Sequence, residues 1–153
     1  MDIFELLKKD HESVLSLFDE LEQMEQKESR KKSSRQDKVF NQLKQEIEAH
    51  TQGEEELLYP QLQEDEDLHP MILEAVEEHH VAKMLLGELG GMPEKNEQWS
   101  AKLTVLRENI EHHIDMEEGE LFVGAQEIME SKQRKELGDR MAEFKEEHMA
   151  ASK

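Results

Sequence analysis

The segment His50-Thr51-Gln52-Gly53-Glu54-Glu55 constrains the fold more than any other, because its His-x-x-x-Glu-Glu order returns 63 residues later as His113-Ile114-Asp115-Met116-Glu117-Glu118. Two copies of one motif suggest one shared site. Residues four apart lie on the same face of an α-helix, so His50 and Glu54 can grip one ion together, as can His113 and Glu117. The flanking residues decide which way those faces point. Phe40, Leu43 and Ile47 lead up to the first pair, and Leu57 and Leu58 follow it; Leu103, Leu106 and Ile110 lead up to the second, and Leu121 follows. The steps alternate three and four, which places both pairs in the seam that helices bury against one another. A buried carboxylate with no partner costs on the order of several kcal/mol, so a charge at core register needs a strong partner, and a metal cation is the simplest one.

Composition agrees with helices. The 153 residues are about one domain's worth, and the chain reads as a single domain, 1–153. Hydrophobic residues make up 35% and charged residues 37%, which is lean for a sandwich or parallel sheet but suits amphipathic helices with wet outer faces. The formal net charge of −19 argues against phosphate backbones and anionic membranes, which need basic surface. There is no cysteine, which excludes disulfides, thiolate clusters and cysteine nucleophiles and leaves histidine and carboxylate as ligands. No apolar run approaches the roughly 20 residues of a membrane span, and the acidic start Met1-Asp2 is unlike a signal peptide. The expected setting is the cytoplasm.

Taken in order, residues 3 to about 26 predict a first helix with Ile3, Leu7, His11, Val14, Phe18 and Leu21 along one stripe. The segment from Gln26 to Asp37, rich in Lys, Arg and Ser, reads as a connection. A second helix spans about 36 to 63, with Pro60 as a kink or stop near its end. After an acidic turn, Pro70 suits the first turn of a third helix reaching about Leu89, with Ile72, Ala75, His79, Ala82, Leu86 and Leu89 on its inner stripe. Gly90-Gly91-Met92-Pro93 ends it. The fourth helix covers about 97 to 130, with a bend near Gly119 or Gly124. A final helix, about 132 to 149, carries Leu137, Met141, Phe144 and His148 at helical spacing and packs on the bundle, with His148 a surface or capping residue.

The chain is therefore an internal duplication: a helix with one histidine, a helix with His-x-x-x-Glu, then both again. Short connections predict an all-α, up-down-up-down four-helix bundle over about 3–130 with an additional C-terminal helix. His11 and His50 both lie about 22 Å from the same bundle end at 1.5 Å per residue. The third and fourth helices agree more loosely, and all four histidines and both glutamates can meet in one layer.

Six such ligands, His11, His50, Glu54, His79, His113 and Glu117, exceed what one tetrahedral zinc needs and suit two metals of intermediate hardness, iron or manganese before calcium or copper(I). A mononuclear zinc or iron site would also account for these residues, as would a bundle with buried polar networks and no metal. Glu55 and Glu118 either accept hydrogen bonds from ligand imidazoles or are solvated surface. Tyr59 lies near the clamp, suited to bonding a metal-bound species or to packing at a helix end. His80 sits about 100° round the helix from His79, His112 is off the seam, and His69 belongs to a turn.

The elements Asp10-His11, His50-x-x-x-Glu54-Glu55-x-x-Leu58-Tyr59-Pro60, Glu78-His79 and His113-x-x-x-Glu117-Glu118-x-x-Leu121-Phe122 together resemble the hemerythrin-like, or HHE cation-binding, domain family over nearly the whole chain. The resemblance implies a four-helix bundle around two iron ions, a di-iron centre bridged by an oxo or hydroxo group. In it His11, His50, His79 and His113 are terminal ligands and Glu54 and Glu117 bridge. It implies a small diatomic ligand or peroxide as partner. The sequence departs from the oxygen-carrying marine hemerythrins at two places, and both bear against strict oxygen carriage. Lys83 stands where those have a second histidine on the third helix, and Glu117 follows its histidine by four residues where they have an aspartate at five. Three functions follow as alternatives: a protein that binds or senses dioxygen or nitric oxide, or stores iron; an enzyme-like centre that reduces peroxide or nitric oxide, or donates iron for iron-sulfur repair; and a structural bundle with a partner-binding face. The lack of cysteine weakens the repair version. The sequence leaves open whether the chain is an enzyme and what its oligomeric state is.

Overall fold

The computed structural model describes residues 1–25 and 32–151, and among them every long element is helical. Helix α1 (Ile3–Glu25) buries Ile3, Leu7, His11, Val14, Phe18 and Leu21, the stripe its periodicity predicts. Asp2 caps its start by accepting from the Glu5 N–H at 2.9 Å. Helix α2 (Lys32–Gly53) begins several residues before the expected start near 36, so the expected connection holds helix over 32–37, and its part over 26–31 lies outside the described residues. Ser34 and Arg35 in this added turn face solvent, so it carries no apolar period that would mark it as helix.

Helix α3 (His69–Gly91) carries Pro70 in its first turn and buries Ile72, Ala75, His79, Ala82, Leu86 and Leu89, the expected stripe in full. It ends where Met92 turns extended. The Asn96 side chain then accepts from the Gln98 and Trp99 N–H groups, starting helix α4 (Glu97–Met116). Helix α5 (Phe122–Ile128) continues the α4 rod, and helix α6 (Ser131–Ala151) follows.

Both long rods are interrupted at the same place. After Gly53 the chain makes a π turn over Glu54–Leu58, closed by the Tyr59 N–H donating to the Glu54 carbonyl, and then a 3₁₀ turn over Tyr59–Gln61 at Pro60. After Met116 an equivalent π turn covers Glu117–Leu121, closed by the Phe122 N–H donating to the Glu117 carbonyl. The expected stop at Pro60 and bend near Gly119 fall within these interruptions, but each interruption begins earlier than expected, at Glu54 and Glu117. Each His-x-x-x-Glu pair ends at the first residue of a widened turn, and Gly119 lies inside the second one. Such turns insert one residue and re-aim the side chains at their start.

The four rods run up-down-up-down, α1 against α2 and α3 against α4, while α6 lies across α1 and α2. Apolar packing falls into two separate cores. One, around Phe18, Leu43, Leu86, Trp99 and Leu106, fills the end where α3 turns into α4. The other, around Phe4, Leu58, Leu62, Phe122 and Met141, fills the opposite end and includes α6. The layer between them is polar: His11, His50, Glu54, His79, His113 and Glu117 are each at most 5% exposed. Met141 closes on Gly53, where a Cβ would stand 2.4 Å from its sulfur, so α6 is seated directly beside the residue that precedes Glu54.

Candidate metal centre

Four histidines and two glutamates that are far apart in sequence meet in that layer. His11, His50 and Glu117 form one cluster and Glu54, His79 and His113 a second, each with its ligand atoms within 4.8 Å of one another. The glutamates link the two. Glu54 Oε1 lies 3.3 Å from His50 Nε2, 3.1 Å from His79 Nε2 and 3.8 Å from His113 Nε2. Glu117 Oε1 lies 3.3 Å from His11 Nε2 and 3.1 Å from His113 Nε2. The imidazoles pair similarly in both halves, with ring centroids 4.9 Å apart for His11 and His50 and 4.7 Å for His79 and His113.

An outer ring of acids fixes which nitrogen faces inward. The Nδ1 atoms of His11, His50, His79 and His113 lie 2.6, 2.9, 2.8 and 2.9 Å from Glu118, Asp10, Glu55 and Glu78. An ionised carboxylate only accepts, so each Nδ1 carries the hydrogen and each Nε2 is turned toward the other rings. Glu55 and Glu118 are therefore hydrogen-bond acceptors for imidazoles rather than solvated surface. Asp10 and Glu78 do the same work. Sequence reasoning misses that role for them, although an acid immediately before a histidine in both halves is the available signal.

The inward atoms then have too few partners. His11 Nε2, His50 Nε2, Glu54 Oε2 and Glu117 Oε1 are buried with no hydrogen bond, although they lie close together. Buried polar atoms are rarely left so, and four of them converging on one layer leave a gap in polar pairing that cations fill. Nitrogen and carboxylate oxygen are the donors that metals of intermediate hardness take. The sequence profile described as "Hemerythrin HHE cation binding domain" matches residues 2–123. The chain belongs to that hemerythrin HHE family.

A solved hemerythrin HHE cation binding domain-containing protein from Mycobacterium kansasii is similar in fold, with a TM-score of 0.81 at 24% identity over 99% of this chain and 89% of that one. Among curated proteins none matches the chain significantly. One feature of this HHE domain goes beyond simple expectation. Tyr59 is not merely packing at a helix end, because its hydroxyl enters the layer, donates to Glu117 Oε2 at 2.7 Å, and lies 3.3 Å from both Glu54 Oε1 and His79 Nε2. Its ring stacks on His79, whereas Phe122, at the matching place in the other half, stacks on His11 without any hydroxyl. The remaining histidines stay outside. His80 and His69 are exposed, exposed His112 pairs with Glu78, and half-buried His148 stacks on Phe144 far along α6. Lys83 is likewise exposed.

Electrostatics within the layer follow from burial against ion pairing. Burial would push the His50 imidazole down, but the Glu54 charge and the Asp10 hydrogen bond outweigh it and raise it to about 10. His79 and His113 are raised as well, against their burial, chiefly by Glu54 and Glu117 respectively. Glu54 is held well below the usual carboxylate range: its burial works against this, and the His50 charge overcomes it. Burial and the neighbouring Glu117 and Glu54 charges push the Tyr59 phenol well above its ordinary value, so its proton stays on the hydroxyl. Protons on His50, His79 and His113 thus offset buried carboxylate charge in the absence of metal.

Proposed function

We propose that this domain binds two iron ions between Glu54 and Glu117 and that the resulting centre binds or reacts with dioxygen, nitric oxide or peroxide. In this reading His11 and His50 hold one ion and His79 and His113 the other, with both glutamates shared. The observation that carries it is the set of buried, hydrogen-bond-free atoms of His11, His50, Glu54 and Glu117, which converge from three of the four rods on the layer that His79 of α3 completes. A pair of irons supplies an electron source and a Lewis acid to small ligands. The chain's own residues do the rest. Asp10, Glu55, Glu78 and Glu118 keep the Nδ1 hydrogens in place and so hold the four Nε2 lone pairs toward the layer.

Small ligands have room beside the layer. A cavity of about 20 Å³ is lined by Val14, Ile47, Ile110 and Ile114 next to His11, His50 and His113. A single water needs about 10–15 Å³, so the space suits a diatomic or peroxide. No described helix is long and apolar enough to cross a membrane. The acidic surface and lack of cysteine fit a cytoplasmic setting without nucleic acid as partner.

Reduction of peroxide or nitric oxide, rather than reversible binding, is favoured by one observation: Tyr59 holds a proton on a hydroxyl 2.7 Å from Glu117 Oε2, inside the buried layer. The test is anaerobic loading with ferrous iron followed by metal analysis, Mössbauer spectroscopy and stopped-flow mixing with oxygen or peroxide. About two irons per chain in coupled sites support the reading. Fewer than about one refutes it. A stable oxygenated absorption band identifies a binding protein, and rapid oxidation with repeated peroxide consumption identifies a reactive one.

A further inference from the structure

The two halves of the centre are built alike except where α6 touches one of them. Asp10 Oδ2 accepts from His50 Nδ1 at 2.9 Å, and its other oxygen, Oδ1, accepts from the Lys145 ammonium on α6. In the second half Glu78 Oε1 accepts from His113 Nδ1 at 2.9 Å, and its Oε2 is met by His112, which stands on the same helix as His113 and has a side chain 66% exposed. The Lys145 side chain is only 24% exposed and that of Asp10 12%. A helix outside the four-helix bundle thus grips the acid that orients one ligand imidazole, and the matching acid has no such grip.

We propose that Lys145 is a positioning residue for His50, making α6 a latch on the metal position formed by His11, His50 and Glu117 and leaving the other position free of it. The proposal rests on the two-metal reading given above. Lys145 pins Asp10 through one oxygen, so the other must face His50 Nδ1, and the His50 ring is fixed with Nε2 inward. Without the ammonium, Asp10 is free to turn its charge toward water, since the edge of the layer lies close to solvent. His50 then loses its fixed orientation, which is the kind of outer contact whose loss costs about tenfold or more in metal affinity. Nothing comparable happens at His79 and His113, whose acids are Glu55 and Glu78.

The experiment is a calorimetric titration of the metal-free full chain with cobalt(II), alongside proton NMR of the imidazole N–H signals shifted by bound cobalt. Lys145→Met and Lys145→Gln remove the charge and Lys145→Arg keeps it, with far-UV circular dichroism verifying that each variant is folded. The expected result is two binding constants in the wild type. In the Met and Gln variants one falls about tenfold and the other stays within about twofold, and one of the four imidazole N–H signals moves. Arg restores both readouts. Equal weakening of the two constants would mean that α6 merely stabilises the fold, and it would overturn the proposal, as would two unchanged constants. A folded wild type that takes up fewer than two cobalt ions would instead overturn the two-metal reading itself.

Discussion

Raising the pH of the metal-free protein should destabilise it, and the reason lies in His50. Its imidazole is fully enclosed, which by itself favours the neutral form, yet the Glu54 charge and the Asp10 hydrogen bond raise it from 6.5 to about 10. A group whose proton is held more tightly in the folded state than in the unfolded one stabilises fully below its unfolded value. That contribution is lost as the pH climbs through the folded value. The rise corresponds to about 5 kcal/mol at the outside for this one residue, against a total stability of about 5–15 kcal/mol for a typical domain. His79 and His113 shift in the same direction and add to the slope. The depressed carboxylates Glu54 and Asp10 act only at acid pH, where their stabilisation is lost as the pH falls. Urea unfolding of chelator-stripped protein between pH 6.5 and 9.5 is the assay. The unfolding free energy is expected to drop by several kcal/mol across that window, and the metal-loaded protein to hold steady, because cations replace the imidazole protons. A metal-free stability that stays flat or rises over the same window would refute the charge balance described for the layer.

Other perturbations test neighbouring parts. Tyr59→Phe deletes the donor to Glu117 Oε2 and is expected to lower the stability of the metal-free protein by about 1.5–3 kcal/mol at pH 7 in urea unfolding. Gly138→Ala would place a Cβ 2.3 Å from the Met1 carbonyl oxygen and 2.9 Å from the Asp2 carbonyl carbon, which is backbone that cannot rotate away. It should cost about 1–3 kcal/mol and expose the first residues to aminopeptidase. His80→Ala, exposed and off the layer, should leave the metal content of the loaded protein unchanged by elemental analysis.

Much of this centre is legible in the sequence because periodicity reports burial. The stripe on α3 is recoverable residue by residue, that on α1 but for Phe4, Asp10 and Leu17, and histidines and glutamates interrupting an apolar seam carry the rest. Four things are not legible, each for a physical reason. The π turns leave the His-x-x-x-Glu spacing untouched, so the sequence reads as straight helix through Glu54 and Glu117. Asp10 and Glu78 sit one residue before a histidine of the layer, about 100° off the inner stripe. They reach an imidazole only on the neighbouring helix, a contact that needs the tertiary arrangement. Lys145 is 135 residues from Asp10, and no pattern on α6 marks it. The early start of α2 is hidden because solvent-facing turns carry no apolar period.

The duplication has a consequence for how the centre fails. Glu117 completes the cluster of first-half histidines, and Glu54 completes the cluster of second-half histidines. Outer acids cross in the same way, Glu118 to His11 and Glu55 to His79. Neither half of the chain holds a complete set, so the two positions depend on each other through the exchanged glutamates. Glu54 Oε1 is also within reach of His50, and Glu117 Oε1 of His113, so each carboxylate faces both clusters. In the two-iron centre proposed above, Glu54→Ala or Glu117→Ala should therefore empty both positions, reducing the metal content of the iron-loaded protein to well below one per chain, rather than leaving one filled site. Loss of a single iron with the second retained would show that the carboxylates serve separate sites, and the shared centre would have to be abandoned.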